Sequence, residues 1–100
     1  MAVRRGEAPK RFRASVELKT AAERLTFNVQ YVNLKTSEYT SLVEAGLSLA
    51  EMLVQLVAEW DADYPLSVDG FTELEDERPG CCAGLLEGWH RGRLAQREGN

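Results

Sequence analysis

Leu49, Met52, Leu53, Leu56, Val57 and Trp60 recur at i, i+3, i+4, i+7, i+8 and i+11, the spacing of one continuous apolar stripe on a helix. Ala50, Val54 and Ala58 widen the stripe, leaving Glu51, Gln55 and Glu59 as a polar line. This spacing predicts a helix over 48–60. Ser48 and Glu51 have the separation of a capping box, and Leu47 and Met52 that of a hydrophobic staple. Gly46 supplies the left-handed turn that closes a preceding helix. A helix apolar over about half its circumference presents more surface than one small core uses. Two neighbours are expected for it, and a second molecule is one candidate.

Upstream the rhythm changes. Phe12, Ala14, Val16 and Leu18 alternate with Arg11, Arg13, Ser15, Glu17 and Lys19. Leu25, Phe27, Val29 and Tyr31 alternate in the same way with Arg24, Thr26, Asn28 and Gln30. A period of two gives each strand one buried face. The short link Thr20 to Glu23 joins them as an antiparallel hairpin over about 11–32. Such a hairpin is marginal in water until its apolar face is covered, and the wide helix is the expected cover.

Three further helices are expected. Thr36 or Ser37 caps one over about 37–45, with Tyr39, Leu42 and Val43 inward. Pro65 holds Tyr64 out of helical angles. Ser67 then caps a helix over about 67–77, with Asp69 in its first turn, Leu66 and Phe71 in staple positions, and Phe71 and Leu74 inward. Pro79 ends that helix and suits the first turn of a last one over about 79–94, whose inner face carries Cys82, Leu85, Leu86 and Trp89. Together these elements make an α+β fold: an N-terminal antiparallel β-hairpin packed on a C-terminal bundle of about four helices. The domain spans 11–95, between a loose tail at 1–10 and a frayed end at 96–100.

Gly80, Gly84, Gly88 and Gly92 fall every fourth residue along the last helix. Each interior glycine costs about 1 kcal/mol relative to alanine. One reading is a bare groove where another helix backbone comes close, as small-residue stripes permit. The other is a helix that is weak until a partner binds, or that tolerates the loss.

Composition and charge narrow the chemistry. With 44% hydrophobic and 28% charged residues the chain is of the ordinary soluble globular type. No apolar run approaches the roughly 18 residues of a membrane span, and the basic stretch Met1 to Arg13 lacks the apolar core of a signal peptide. Net charge is −4, with basic residues near both ends and only acidic charge from Glu59 to Glu77. These blocks suit solvated faces and argue against nucleic acid as a partner. Cys82 and His90 lie eight residues apart on one helix, about 12 Å along its axis. That separation is too great for one metal ion or a catalytic dyad, so Cys82 is expected in the core and His90 on the surface. Adjacent Cys81 and Cys82 imply no disulfide. Asp61, Asp63, Ser67 and Asp69 imitate a calcium loop, but Pro65, Leu66 and Thr72 stand where a ligand, the turning glycine and the closing glutamate are needed. Glu73, Asp76 and Glu77 suit a solvated acidic face. No catalytic residue, metal ligand or cofactor is expected, and an enzyme is the least expected class.

In the C-terminal half a series of short words keeps a familiar order. It runs Leu56-Val57-Ala58-Glu59-Trp60-Asp61, Pro65-Leu66-Ser67, Phe71, Leu74, Pro79-Gly80, Leu85-Leu86 and Trp89, then an arginine-rich end and Asn100. This order resembles the tail assembly chaperones of long-tailed bacteriophages and prophages. The first half agrees more loosely, through a hairpin opening near Phe12, a second strand ending at Tyr31, and Ser37-Glu38-Tyr39 opening a helix. Glu59, Leu66 and Trp89 stand where that family has glycine, phenylalanine and tyrosine.

The resemblance implies a non-enzymatic protein of the host bacterial cytoplasm, absent from the finished virion. Such a protein keeps the helical tape measure protein soluble and helps bring tail tube subunits to it, the latter through a longer frameshifted form. A chain ending at Asn100 would be the shorter form. On this reading Met52, Val57, Trp60, Gly84, Gly88 and Trp89 are the candidate partner-binding residues, covering apolar stripes of the tape measure helix in a helix-in-groove manner. Several copies, possible homo-oligomers, would line up along it. The competing reading makes the same residues core. A ring-forming tail or neck protein of the virion and a small host-directed regulator are the alternative functions.

Overall fold

The alternation near the N-terminus is realised as two nine-residue strands, β1 (Arg11–Lys19) and β2 (Arg24–Val32). They pair antiparallel in unbroken register, from Arg11 opposite Val32 to Lys19 opposite Arg24. Beyond the strands, the Asn33 N–H donates to the Lys10 carbonyl at 2.9 Å and Asn33 Nδ2 to the Pro9 carbonyl at 2.8 Å. The ladder therefore reaches into what was expected to be tail. The computed structural model describes residues 2–98. Met1, at the start of the expected tail, and Gly99 and Asn100, in the expected frayed end, lie outside the described residues.

The chain continues through α1 (Thr36–Glu44), α2 (Leu49–Leu56), β3 (Val57–Trp60), α3 (Val68–Glu77) and α4 (Cys81–Arg93). The helix expected over 48–60 thus stops at Leu56, and its last four residues form a third strand, antiparallel to β2, in the order β1-β2-β3. A β-bulge explains the deception. Val57 pairs with Tyr31, Glu59 with Gln30 and Trp60 with Val29, and the register shifts between Gln30 and Tyr31. The extra residue, Ala58, resets the strand's phase. Val57 and Trp60 therefore both face inward, although three positions apart on a regular strand would oppose them. A bulged strand imitated the i, i+3 spacing of a helix. Asp61 extends this edge with its side chain: its carboxylate accepts the Asn28 backbone N–H at 2.9 Å and Asn28 Nδ2 at 2.7 Å.

One layer of helices lies on one face of the sheet, and the molecule is only 20 Å through its thinnest axis, about the sum of two layers. Val16, Phe27, Val29 and Tyr31 from the sheet meet Met52, Leu53 and Leu56 from α2, Phe71 and Leu74 from α3, and Cys81, Cys82, Leu85 and Trp89 from α4. No helix among the described residues is long and apolar enough to cross a membrane.

The helix starts follow their local chemistry, with two departures. Ser48 Oγ accepts the Glu51 N–H at 3.2 Å while the Glu51 carboxylate accepts the Ser48 N–H at 2.8 Å, the reciprocal pair of a capping box. Ser67 Oγ accepts the Gly70 N–H at 3.0 Å. At α1 the cap falls on Lys35, not on Thr36 or Ser37; its N–H donates to the Glu38 carboxylate at 2.8 Å. At α4 Pro79 lies ahead of the helix, and Gly80, at φ 97°, is the N-cap. Glycine has no side chain with which to cap. Glu75 of α3 substitutes, accepting the Gly80 N–H at 2.8 Å and the Cys82 N–H at 3.1 Å.

A pH dependence follows from these caps. Bonds to Gly80 and Cys82 hold the Glu75 carboxyl below its usual range, those to Ser48 do the same for Glu51, and those to Asn28 for Asp61. A carboxylate whose folded pKa is depressed contributes stability that is present above its unfolded value, about 4, and is lost as pH falls through the folded one. Thermal unfolding is expected to vary little between about pH 5 and 8 and to weaken below about 4. Glu75→Gln should flatten that acid limb and Glu75→Ala should cost about 1 kcal/mol at neutral pH, both measurable by thermal scans across pH.

Candidate interaction surface

The structure puts the six sequence-marked residues into one account of the core. Met52 and Val57 are buried among the sheet and helices. Trp60 is half-buried, with ring centroids 6.1 Å from Phe27 and 4.9 Å from Phe71, and its Nε1–H donates to the Tyr64 carbonyl at 3.0 Å. Trp89 is wholly enclosed. Its Nε1–H donates to the Val32 carbonyl at 2.8 Å, Tyr39 stacks on it at 4.8 Å, and the Arg93 guanidinium sits 4.8 Å from its centroid. Arg93 in turn donates to Asn33 Oδ1 at 3.1 Å and the Leu34 carbonyl at 2.7 Å. Trp89 therefore pins α4 to the end of β2 and to the segment leading into α1.

Gly84 and Gly88 also face inward, toward strands and not toward a second helix. A methyl group on Gly84 would come within 2.7 Å of Leu18, one on Gly88 within 2.7 Å of Val16 and 2.9 Å of the Tyr31 hydroxyl, and one on Gly92 within 2.5 Å of Phe12. A helix advances about 6 Å in four residues and a strand nearly 7 Å in two, so Gly84 and Gly88 match the step from Leu18 to Val16, and the long Phe12 ring reaches Gly92 from one step further along β1. The stripe lets α4 lie close against the hairpin.

The neighbours set the sign of each substitution. Leu18 is half-exposed and can turn aside, so Gly84→Ala is expected to be neutral or slightly stabilising through helix propensity. Val16 is buried and stiff, and the Tyr31 hydroxyl is held by the Leu85 carbonyl at 2.7 Å. Gly88→Ala is therefore expected to destabilise by about 1–3 kcal/mol. Denaturant titration of the two variants checks the contrast.

The remaining chemistry-bearing side chains also take packing roles. Cys81 and Cys82 are both buried and free. Burial raises both thiols, that of Cys82 to about 12. Burial likewise pushes the Tyr31 phenol up to about 12. His90, expected on the surface, is half-buried and edge-on to Tyr39 and Trp89, sharing a 3.1 Å hydrogen bond with the Tyr39 hydroxyl. Glu77 bonds the Tyr64 hydroxyl, which accepts from Arg78 at 2.7 Å; Arg78 also pairs with Glu23 of the hairpin loop at 3.0 Å. Among the described residues no group of three His, Cys, Asp or Glu side chains is placed to hold a metal ion.

Apolar surface is left open elsewhere on the helical layer. α1 buries none of its residues and holds to the core through Tyr39 and Leu42. Val43, expected inward, is 51% exposed because α1 lies at the margin of the layer. Val43 and Leu49 flank the Gly46 turn, and Leu66 and Val68 flank the Ser67 cap; all four are exposed. Periodicity placed Leu49 and Val43 on inward faces, but they sit at helix ends, where a side chain on the apolar stripe has few neighbours to cover it. Comparison of the chain with protein families, with curated proteins and with solved structures finds no match in any of the three.

Proposed function

We propose that the protein is a tail assembly chaperone of a long-tailed bacteriophage or prophage, a non-enzymatic binder of the tape measure protein acting in the host cytoplasm. The observation that carries this reading is the ordered series of words from Leu56 to Trp89. Those words coincide with joints of the fold. Trp60-Asp61 ends β3 on Asn28, Ser67 caps α3, Phe71, Leu74, Leu85 and Trp89 fill the core, and Gly80 takes the positive φ that opens α4. Exposed apolar side chains on the helical layer give the reading a place to act, since such surface is a mark of binding sites.

The contact surface proposed here differs from the six residues marked by sequence. Met52, Val57 and Trp89 are occupied inside the domain, so the tape measure helix is assigned to Val43 and Leu49 at one helix junction and Leu66 and Val68 at another. Each apolar side chain that becomes fully covered contributes about 1.5–3 kcal/mol. Recruitment of tail tube subunits belongs to the same proposal, through a longer form of the chain.

Co-expression with the tape measure protein encoded alongside tests it. The expected result is a tape measure protein that stays soluble and elutes with this chain, and Val43→Asp with Leu49→Asp should abolish both effects while the variant keeps its own fold. A tape measure protein that precipitates while this chain elutes alone would overturn the reading.

A further inference from the structure

The two edges of the sheet are built differently. β3 is four residues long and bulged, the usual way an edge is kept from pairing. β1 is nine residues long, has no register shift, and contains no proline and no inward-pointing charge. Its hydrogen-bonding parity can be read from its ends. Thr20 N–H donates to the Glu23 carbonyl at 2.8 Å and Asn33 N–H to the Lys10 carbonyl at 2.9 Å. Even-numbered positions of β1 thus bond toward β2, and antiparallel alternation turns the N–H and C=O groups of Arg11, Arg13, Ser15, Glu17 and Lys19 to the open edge. Below that edge a crevice of about 230 Å³ runs between β1 and α4, bordered by Ala14, Leu18, Gly88, Gly92, Glu87 and Arg91.

We infer that β1 is a homodimer interface, pairing antiparallel with β1 of a second copy about a two-fold axis at Ser15 to form a continuous six-stranded sheet. The charges nearest the axis favour a second copy in this register. With Ser15 opposite itself, Arg13 of each copy stands opposite Glu17 of the other, and neither has an ion-pair partner among the described residues. On the inner face the same register sets half-buried Phe12 against half-buried Leu18, and Ala14 against Val16. The axis also agrees at the helix level. Leu18, Val16 and Phe12 lie over Gly84, Gly88 and Gly92, so Ser15 falls over α4 between Gly88 and Gly92. Glu87 and Arg91, paired at 2.5 Å within one copy, flank that point and can exchange partners with their counterparts. Arg11 falls opposite Lys19 at the two ends, where it already reaches across the sheet to Gln30 at 3.1 Å.

Sedimentation of the purified chain over a range of concentrations tests the pairing without any partner, so failure here leaves the chaperone proposal standing. Wild type is expected to be a dimer in equilibrium with monomer. Arg13→Glu or Glu17→Arg alone each sets like charges opposite one another twice and should raise the dissociation constant about tenfold. The double variant Arg13→Glu with Glu17→Arg should restore it. Ser15→Pro removes an N–H that faces the open edge and no bond of the internal ladder, and should give a monomer with unchanged circular dichroism. If Ser15→Pro unfolds the chain, the charge series decides. A wild type that stays monomeric at every soluble concentration, a dimer indifferent to all the substitutions, or a closed ring larger than a dimer would overturn the inference.

Discussion

Trp89→Ala is expected to lower stability by about 3–5 kcal/mol, the range for removing a large aromatic from a packed core. The indole touches three parts of the chain at once. Its Nε1–H holds the Val32 carbonyl at 2.8 Å, its faces take Tyr39 and the Arg93 guanidinium, and its ring is fully enclosed. Truncation would also release Arg93 from its stacking partner and loosen α1, which has no buried residue of its own. Trp89→Phe separates the contributions. It keeps most of the packing and removes one of two donors to the Val32 carbonyl, which retains the Leu34 N–H at 3.1 Å, so a smaller loss of about 1 kcal/mol is expected. Denaturant titration with both variants measures the difference. A loss under about 1 kcal/mol for the alanine variant would mean that Trp89 is not the rivet described here.

Gly70→Ala is expected to be comparably damaging, and its sign opposes helix propensity. Propensity alone favours alanine by about 1 kcal/mol. The position forbids it, because a methyl group on Gly70 would overlap the Pro65 carbonyl oxygen and lie 2.8 Å from its carbon. That carbonyl also accepts the Ser67 N–H at 2.9 Å, and Ser67 caps the helix that carries Phe71 and Leu74 into the core. Neither backbone can yield without displacing α3. A cost of about 3 kcal/mol or more is expected, at the severe end for overpacking. An alanine variant as stable as wild type would show that the Pro65 turn is free to move.

Wherever the determining chemistry was local, it was legible in the residues themselves. The alternation of β1 and β2, the Ser48–Glu51 box, the Ser67 cap and the turn at Gly46 each depend on neighbours within a few positions, and each is present. The α+β class followed from them. The features that were not legible depend on distant partners. Val57 and Trp60 kept helical spacing because the bulge at Ala58 shifts the phase of a strand, and only the unpaired side of β2 makes that segment a strand. The glycines of α4 announced a close approach but not what approaches, since a strand and a helix ask the same of a bare surface. Gly70 carried no signal, because its constraint is a carbonyl five residues away across a turn. Among the residues marked for partner binding, the apolar ones were marked for their apolar character, which a core and an interface share. Burial separated the two for Met52, Val57 and Trp89.

On the proposed function, the helical layer binds the tape measure protein through its exposed junctions while the apolar stripe stays inside. Hydrogen exchange on this chain, free and purified jointly with the tape measure protein, addresses it most directly. The account predicts new protection at the α1–α2 junction around Val43 to Leu49 and at the start of α3 around Leu66 to Val68, with α2 and α4 equally protected in both states. No recoverable complex, or protection confined to β1 and the polar face of the sheet, would contradict it.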